Sequence, residues 1–358
     1  MEKLTRRRFL KRAGVAVAGL ALLGSGCDQR SAESTEEPIV PTETHPVPQG
    51  SPTETRPVRQ GTPTETRPVQ QEAPAATYVV QQETPTATRQ AAYLSVARGT
   101  DPEAITKAAI AALGGMERFV KAGDDVIVKP NICVTYHGPE YAATTNPTVV
   151  ATLVRLCLGA GARRVRVMDS PFGGTADSAY AVSGIGEAVK AAGGRMEVMS
   201  PVKYVNTDFP DARTFSSWEV YQDVLDADVL INVPIAKTHG LARLTLGGKN
   251  LMGLILSPGA MHRALGQRIA DLMTLVRPTL TVVDAVRILT ANGPTGGNLG
   301  DVKRTDTVVA SHDTVAADAW AATLFGMSGA DITSIQAAVE RGLGLLDLDA
   351  IKVEEISV

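Results

Sequence analysis

Short apolar runs rich in β-branched residues alternate with alanine-rich stretches from about residue 91 to the C-terminus. The runs have the length of buried strands, and the alanine-rich stretches have the length of helices. This alternation predicts an α/β domain over residues 91–358, with a mainly parallel sheet and helices on both faces, as one body or as two lobes that share one cleft. The predicted strands cover residues 125–129, 164–168, 228–232, 279–284 and 307–310, and the predicted helices include residues 177–192, 263–276, 313–325 and 332–341.

Two more helices are indicated by their first residues. Asp101 precedes Pro102 and Asn146 precedes Pro147. An Asp or Asn side chain caps free backbone N–H groups, and proline is well tolerated at the first helical position. Both pairs therefore predict a helix start.

Polar side chains follow the predicted strands. Because the carboxyl ends of parallel strands meet at one edge of a sheet, we expect these side chains to converge on one cleft. The fifth strand would deliver residues 311–313 to the same edge. Three further polar residues precede a predicted helix and join the cleft if their loop folds over that edge. The predicted cleft residues are Lys129, Asn131, Asp169, Lys237, His239 and Asp284 from the strands, and Lys249, Asn250 and His262 from the loop.

These side chains have two interpretations. As functional groups, the lysines would bind a carboxylate or phosphate, or one lysine with a lowered pKa would act as a base. The candidate catalytic residues are then Lys237, His239 and His262, and the other six would bind the ligand or orient a histidine. The alternative is a set of ordinary turn lysines and surface histidines.

A divalent metal is a further interpretation of the histidines together with Asp169 and Asp284. No His-x-x-x-His spacing supports it, and the metal is left open. An iron–sulfur cluster is not expected, because the chain has three cysteines and Cys27 belongs to the N-terminal segment. Cys157 is predicted to lie in the core and Cys133 near the cleft, and the sequence does not decide whether these two pair.

The N-terminus has the pattern of an export signal. Arg6 and Arg7 begin a basic stretch, residues 13–23 are apolar, and small residues precede Cys27. Paired arginines favour the twin-arginine translocase as the export partner. We therefore interpret residues 1–27 as a signal peptide. Cys27 is the predicted lipid-attachment residue, with simple cleavage nearby or a chance cysteine as the alternatives.

Residues 28–90 are rich in Pro, Thr, Glu and Gln and contain a repeated Pro-Thr-Glu-Thr unit at positions 41, 52 and 63. With so few large apolar residues, this segment is predicted to be a disordered linker. The domain would then be held at the outer face of the cytoplasmic membrane, or in the periplasm, through a lipid anchor.

Charge argues against nucleic acid as a partner. The chain has 35 Lys and Arg and 38 Asp and Glu. Without residues 1–27, which hold six basic residues and one acid, the balance is 29 to 37, a net charge of −8. A protein of that charge lacks the basic surface that nucleic acid requires. Gly247–Gly253 also lacks the spacing of a nucleotide P-loop.

Several motifs together resemble the family known as domain of unknown function 362. They are Val-Lys129-Pro-Asn131, Thr-Asn146-Pro, Asp169-Ser-Pro, Asn232-Val-Pro-Ile-Ala-Lys237-Thr-His239, Gly-Lys249-Asn250-Leu-Met-Gly253, His262, Val-Asp284-Ala, Gly-Pro294 and Ser-His-Asp313-Thr-Val-Ala-Ala-Asp318. The resemblance implies that these residues form a site, and the family's name states no activity. Some members carry a ferredoxin-like segment for two iron–sulfur clusters, and this chain has no Cys-x-x-Cys-x-x-Cys run.

Two functional hypotheses follow. The first is an envelope enzyme that acts on a small anionic substrate at the Lys/His/Asp cleft. The second is a non-catalytic lipoprotein that binds a small solute at the same edge. Perturbed pKa values at the converging lysines and histidines would favour the enzyme. Since the residues are expected on loops, replacing Lys237 or His239 with Ala should weaken the ligand site with little change in melting temperature.

Overall fold

The computed structural model describes residues 91–358. The predicted twin-arginine signal, Cys27 and the repeat segment lie outside the described residues and stay predictions. No helix in the described part of the chain is both long and apolar enough to cross a membrane.

Twelve strands are present in residues 91–358. They are β1 (Leu94–Arg98), β2 (Asp125–Pro130), β3 (Arg164–Val167), β4 (Arg195–Met196), β5 (Tyr204–Asp208), β6 (Ser217–Tyr221), β7 (Val229–Val233), β8 (Ile235–His239), β9 (Arg243–Thr245), β10 (Leu280–Leu289), β11 (Val302–Ser311) and β12 (Val353–Ser357).

Nine α-helices are present in the same residues. They are α1 (Pro102–Ala112), α2 (Pro147–Gly159), α3 (Ala176–Val182), α4 (Ile185–Ala191), α5 (Gln222–Asp226), α6 (Gly247–Asn250), α7 (Leu265–Leu275), α8 (Thr314–Ala322) and α9 (Thr333–Val339). Short 3-10 segments include Leu251–Leu254, Pro258–Ala264 and Leu299–Asp301.

One ten-stranded sheet organises the described residues. Its main order is β12-β1-β11-β10-β7-β2-β3-β4, and β8 pairs with both β10 and β9. The pairings are parallel except those of β11 with β1 and β10, and that of β8 with β9. Strands β5 and β6 form a separate antiparallel pair. The predicted mainly parallel sheet is confirmed.

Helices cover both faces of the sheet, as predicted. Successive side chains of a strand point to opposite faces, so Ile127 packs into one apolar layer while Val126 and Val128 pack into the other. The layer that contains Ile127 includes residues of α7, α8 and α9. The layer that contains Val126 includes residues of α1, α2, α3 and α4.

Helix starts follow the sequence signals closely. The side chain of Asp101 accepts a hydrogen bond from the Glu103 N–H, and that of Asn146 accepts one from the Thr148 N–H. The helix predicted over residues 177–192 is instead two helices, α3 and α4. Gly184 lies between them at φ 69, a left-handed conformation that glycine adopts without steric cost and that interrupts the helix.

Two expectations about the strands are wrong. Strand β11 is antiparallel to β10, so residues 311–313 lie at the edge opposite to the carboxyl ends of β2, β3 and β7. Residues 235–239 form β8 rather than a loop, which places Lys237 and His239 on a strand. The apolar pattern predicts β11 as a strand but not its direction, and it does not predict β8 as a strand.

Candidate functional site

A buried ion pair lies where the neighbouring strands β2 and β3 end. The Lys129 Nζ is 2.7 Å from Asp169 Oδ1, and the two residues are 1% and 2% exposed. The other carboxylate oxygen of Asp169 accepts a hydrogen bond of 2.6 Å from the Ile132 N–H. Burial lowers the pKa of Lys129 and raises the pKa of Asp169, while the attraction between the two charges opposes both shifts.

Gly253 packs directly on this pair. A Cβ at that position would clash with Asp169 Oδ1 and lie 2.9 Å from Lys129 Nζ. A larger residue would therefore displace one of the two charged groups.

Two asparagine side chains connect Lys129 to Lys237. Asn250 Oδ1 accepts hydrogen bonds of 3.0 Å from both Lys129 Nζ and Asn131 Nδ2. Asn131 Oδ1 in turn accepts a bond of 2.9 Å from Lys237 Nζ. The amides thus present oxygen atoms to both ammonium groups. We call Lys129, Asn250, Asn131 and Lys237 the asparagine bridge.

The Lys237 ammonium is buried without a carboxylate partner in residues 91–358. Its Nζ donates to Asn131 Oδ1, to Ala143 O at 2.5 Å and to Pro294 O at 2.9 Å. Burial lowers the pKa of Lys237, whereas three oxygen acceptors match the three hydrogens of the charged form. Lys129 likewise uses its donors on Asp169, Asn250 and Pro130 O. Neither lysine keeps an N–H for a ligand, so the geometry does not favour Lys237 as the catalytic group.

Lys249 differs from the other two lysines. It is half-buried on α6, and its Nζ has no hydrogen-bond or ion-pair partner in the described part of the chain. Burial, followed by the positive charges of Lys237 and Lys129, lowers the pKa of Lys249 to about 8. Its three N–H donors are therefore available to a ligand.

His239 has a defined tautomer. Its Nδ1 accepts hydrogen bonds from the backbone N–H groups of Leu241 at 3.1 Å and Ala242 at 3.2 Å. The ring hydrogen must then be on Nε2. Burial, and next the charge of Lys249, lowers the pKa of His239 to about 4. At neutral pH this imidazole is neutral and offers Nε2–H as a donor.

His262 has the complementary tautomer. Its Nδ1 is 3.0 Å from Gly259 O, and a carbonyl oxygen only accepts, so Nδ1 carries the hydrogen. The neutral ring then presents Nε2 as an acceptor. The ring centroids of His239 and His262 are 6.3 Å apart and the planes are inclined by 20°. The loop that carries His262 therefore reaches the sheet edge, and it places an acceptor imidazole beside a donor imidazole.

Asp284 is not brought to the lysines. It lies within β10, where its carboxylate accepts hydrogen bonds from Asn146 N at 2.7 Å and Val286 N at 3.0 Å. Burial raises the pKa of Asp284 to about 6. Asp169 pairs with Lys129 and Asp284 holds backbone N–H groups, so neither carboxylate contacts a histidine in residues 91–358. No group of three or more His, Cys, Asp or Glu in residues 91–358 is arranged to hold a metal ion.

The two described cysteines are free thiols, and both are buried. Cys157 lies on α2 in the apolar layer of Val126, as predicted. Cys133 Sγ is 3.6 Å from Pro294 O, which also accepts from Lys237. Cys133 therefore borders the site without pairing.

Two residues of the motifs that carry the family resemblance, neither of them among the nine predicted cleft residues, support the site. Asn232 on β7 accepts a bond of 2.8 Å from Asn250 Nδ2 and donates one of 2.9 Å to Gly247 O. Asp318 on α8 accepts bonds of 2.6 and 2.8 Å from the N–H groups of Gly247 and Gly248, and burial raises its pKa to about 7. Together they hold α6, which carries Lys249. The available signal was a polar residue inside an otherwise apolar segment.

The fold and the site define an α/β protein with a lysine-rich site at the carboxyl edge of its sheet. The chain belongs to the family described as domain of unknown function (DUF362), whose sequence profile matches residues 126–323. The thylakoid-associated protein sll1697 of Synechocystis sp. is 28% identical over 248 residues, which are 64% of this chain and 72% of that protein.

A solved structure also shows a partial likeness. The lactate racemase apoprotein from Thermoanaerobacterium thermosaccharolyticum matches 61% of this chain with a TM-score of 0.37 and 10% identity. The match spans about half of that protein, 54% of its length. No residue of the site is assigned from this likeness.

Burial of Lys237 leads to a stability prediction that replaces the sequence-based one. Lys237→Ala should destabilise the protein by about 2–5 kcal/mol, because Asn131 Oδ1, Ala143 O and Pro294 O would lose their donor. Lys249→Ala removes no hydrogen bond and should change the free energy of unfolding by less than about 1 kcal/mol. Urea unfolding of the two variants measures both values. Equal stability of the two variants would contradict the assigned role of Lys237.

Proposed function

We propose that the protein is an enzyme that binds a small organic anion at Lys249, His239 and His262. His262 would then accept a proton from the bound anion. The observation that carries the proposal is the Lys249 ammonium, which is half-buried beside two other lysines and has no partner among the described residues. Asp169, the carboxylate of this cluster, is already paired with Lys129. The cluster therefore carries excess positive charge, which an anionic ligand would offset.

The two imidazoles supply complementary groups for such a ligand. His239 Nε2–H and the Lys249 ammonium would both donate to an anionic oxygen. His262 Nε2 would accept a proton from the bound molecule. The buried charges of Lys129 and Lys237 stabilise negative charge that develops during the transfer, and the asparagine bridge fixes their positions beforehand.

The pKa of Lys249, lowered to about 8, supports an enzyme more than the alternative, a non-catalytic solute-binding protein. An ordinary binding site gains nothing from an amine that titrates near pH 8. A proton-transfer site does, because its groups work best near the ambient pH.

Binding of sulfate tests the anion site, since the charge of sulfate is constant between pH 6 and pH 9. Lys249→Gln should weaken sulfate about tenfold or more, because a charge-assisted hydrogen bond is lost. Lys190→Gln, at an exposed lysine on α4, is the matched control and should bind as the unchanged protein does. Affinity of the unchanged protein should fall as the pH rises above about 8, because Lys249 loses its charge there. Isothermal titration measures each value, and equal affinity of Lys249→Gln and Lys190→Gln would refute the site.

Proton transfer is tested separately from binding. Small carboxylic, sulfonic and phosphonic acids are incubated with the protein in heavy water, and NMR follows exchange of their C–H groups. We expect exchange in at least one acid and its loss in His262→Gln. Binding without exchange in any acid would favour the solute-binding alternative.

Residues 1–27 support a proposal about location. The paired arginines and Cys27 suggest that the domain works outside the cytoplasm, tethered to the membrane through residues 28–90. Replacing Arg6 and Arg7 with Lys should keep the precursor in the cytoplasm, and Cys27→Ala should release the exported protein from the membrane fraction. Cell fractionation follows both. Unchanged export of the Arg6 and Arg7 variant would refute the twin-arginine signal. Unchanged membrane association of Cys27→Ala would refute the lipid anchor.

A further inference from the structure

Large apolar side chains are exposed on four loops that also supply atoms to the candidate site. Phe172 is 77% exposed, Leu241 70%, Tyr136 62% and Leu299 53%. Single exposed apolar residues are common on protein surfaces, so their position decides whether they matter. We call these four residues the apolar rim.

Each loop of the apolar rim also supplies an atom to the site. The loop of Tyr136 runs between Asn131 and Ala143, which both accept from Lys237. The loop of Phe172 begins at Asp169. The other two loops contribute in the same way: Leu241 follows His239 in the β8–β9 turn, and the loop of Leu299 carries Pro294 O. The rim therefore belongs to the segments that build the lysine cluster.

Contacts between the loops join them around the site. The N–H of Phe172 donates to Cys133 O at 2.9 Å. A Cβ on Gly293 would clash with Thr238 O, which shows how closely the loop of Leu299 approaches the end of β8. A Cβ on Gly297 would lie 3.5 Å from His137 Nε2, next to Tyr136. The four apolar side chains thus stand on one connected set of loops.

The side chains of the lysine cluster inside the apolar rim are positively charged, whereas two acidic residues lie on the loops of the rim. Inside are the uncompensated cations of Lys249 and Lys237. The rim loops also bear Glu140, which is exposed, and Asp301, which accepts a bond of 2.7 Å from Asn292 Nδ2. Neither acid pairs with a lysine of the cluster. A ligand that fits this surface would be anionic at one end and apolar at the other.

We propose that the substrate is an amphiphile whose anionic head group binds Lys249 and His239 and whose hydrocarbon chain lies on the apolar rim. This inference rests on the proposed function, because the head group occupies the same anion site. A wholly polar small anion would leave the four rim side chains in water. A hydrocarbon chain would instead remove both its own surface and theirs from water, which is favourable in proportion to the apolar area buried.

Methyl sulfate and octyl sulfate test the inference, since they share one head group and one charge and differ in the chain. Binding to the full chain is measured by isothermal titration at concentrations below micelle formation. Octyl sulfate should bind about tenfold more tightly, the equivalent of burying roughly two methylene groups. Phe172→Ser and Leu241→Ser together should abolish that preference and leave methyl sulfate affinity unchanged. Lys249→Gln should weaken both ligands.

Val182→Ser is the matched control, because Val182 is an exposed apolar residue at the end of α3 and belongs to no rim loop. It should keep the full preference for octyl sulfate. Equal affinity of the unchanged protein for the two sulfates would overturn the amphiphile and leave the anion site standing. A preference that survives Phe172→Ser with Leu241→Ser would also overturn it. Failure of both sulfates to bind would overturn the proposed function itself.

Discussion

Two lysine ammonium groups are buried at the carboxyl edge of the sheet, and only one of them is paired with a carboxylate. The rest of the site depends on how the protein stabilises this buried positive charge. An unpaired buried charge is costly, so it persists only where other groups solvate it. Asp169 neutralises Lys129, and oxygen atoms of Asn131, Ala143 and Pro294 surround the Lys237 ammonium. These acceptors come from two loops, the one that follows β2 and the one between β10 and β11, and the lysine thereby holds them together.

The same arrangement explains the protonation of Lys249 and His239, the two half-buried groups beside the buried lysines. Amide and carbonyl oxygens solvate a cation but do not cancel its charge, so Lys249 lies in a positive field, and this field adds to burial in lowering its pKa. His239 is kept neutral by burial and by that field, and two backbone N–H groups select its tautomer. The buried lysines thus set the electrostatic conditions, while Lys249 and the histidines are the groups that can meet a ligand.

The sequence predicts correctly the part of the site that lies at the ends of neighbouring parallel strands. Lys129, Asn131 and Asp169 follow β2 and β3, and their convergence could be predicted because these strands are parallel. Strand direction could not be predicted for β11, since an apolar run is the same in either direction. Asp284 was placed at a strand end, but β10 continues to Leu289. The support of α6 by Asn232 and Asp318 depends on tertiary contacts between segments distant in the chain.

Lys249 carries an uncompensated positive charge, and together with the neutral donor His239 it forms the proposed anion site of the protein. Anomalous diffraction from crystals soaked in selenate tests it directly. We expect a selenium peak that places selenate within hydrogen-bond distance of Lys249 Nζ and His239 Nε2, and its loss in Lys249→Gln crystals. Selenate peaks elsewhere on the protein, with none at these two nitrogen atoms, would contradict an anion site at Lys249.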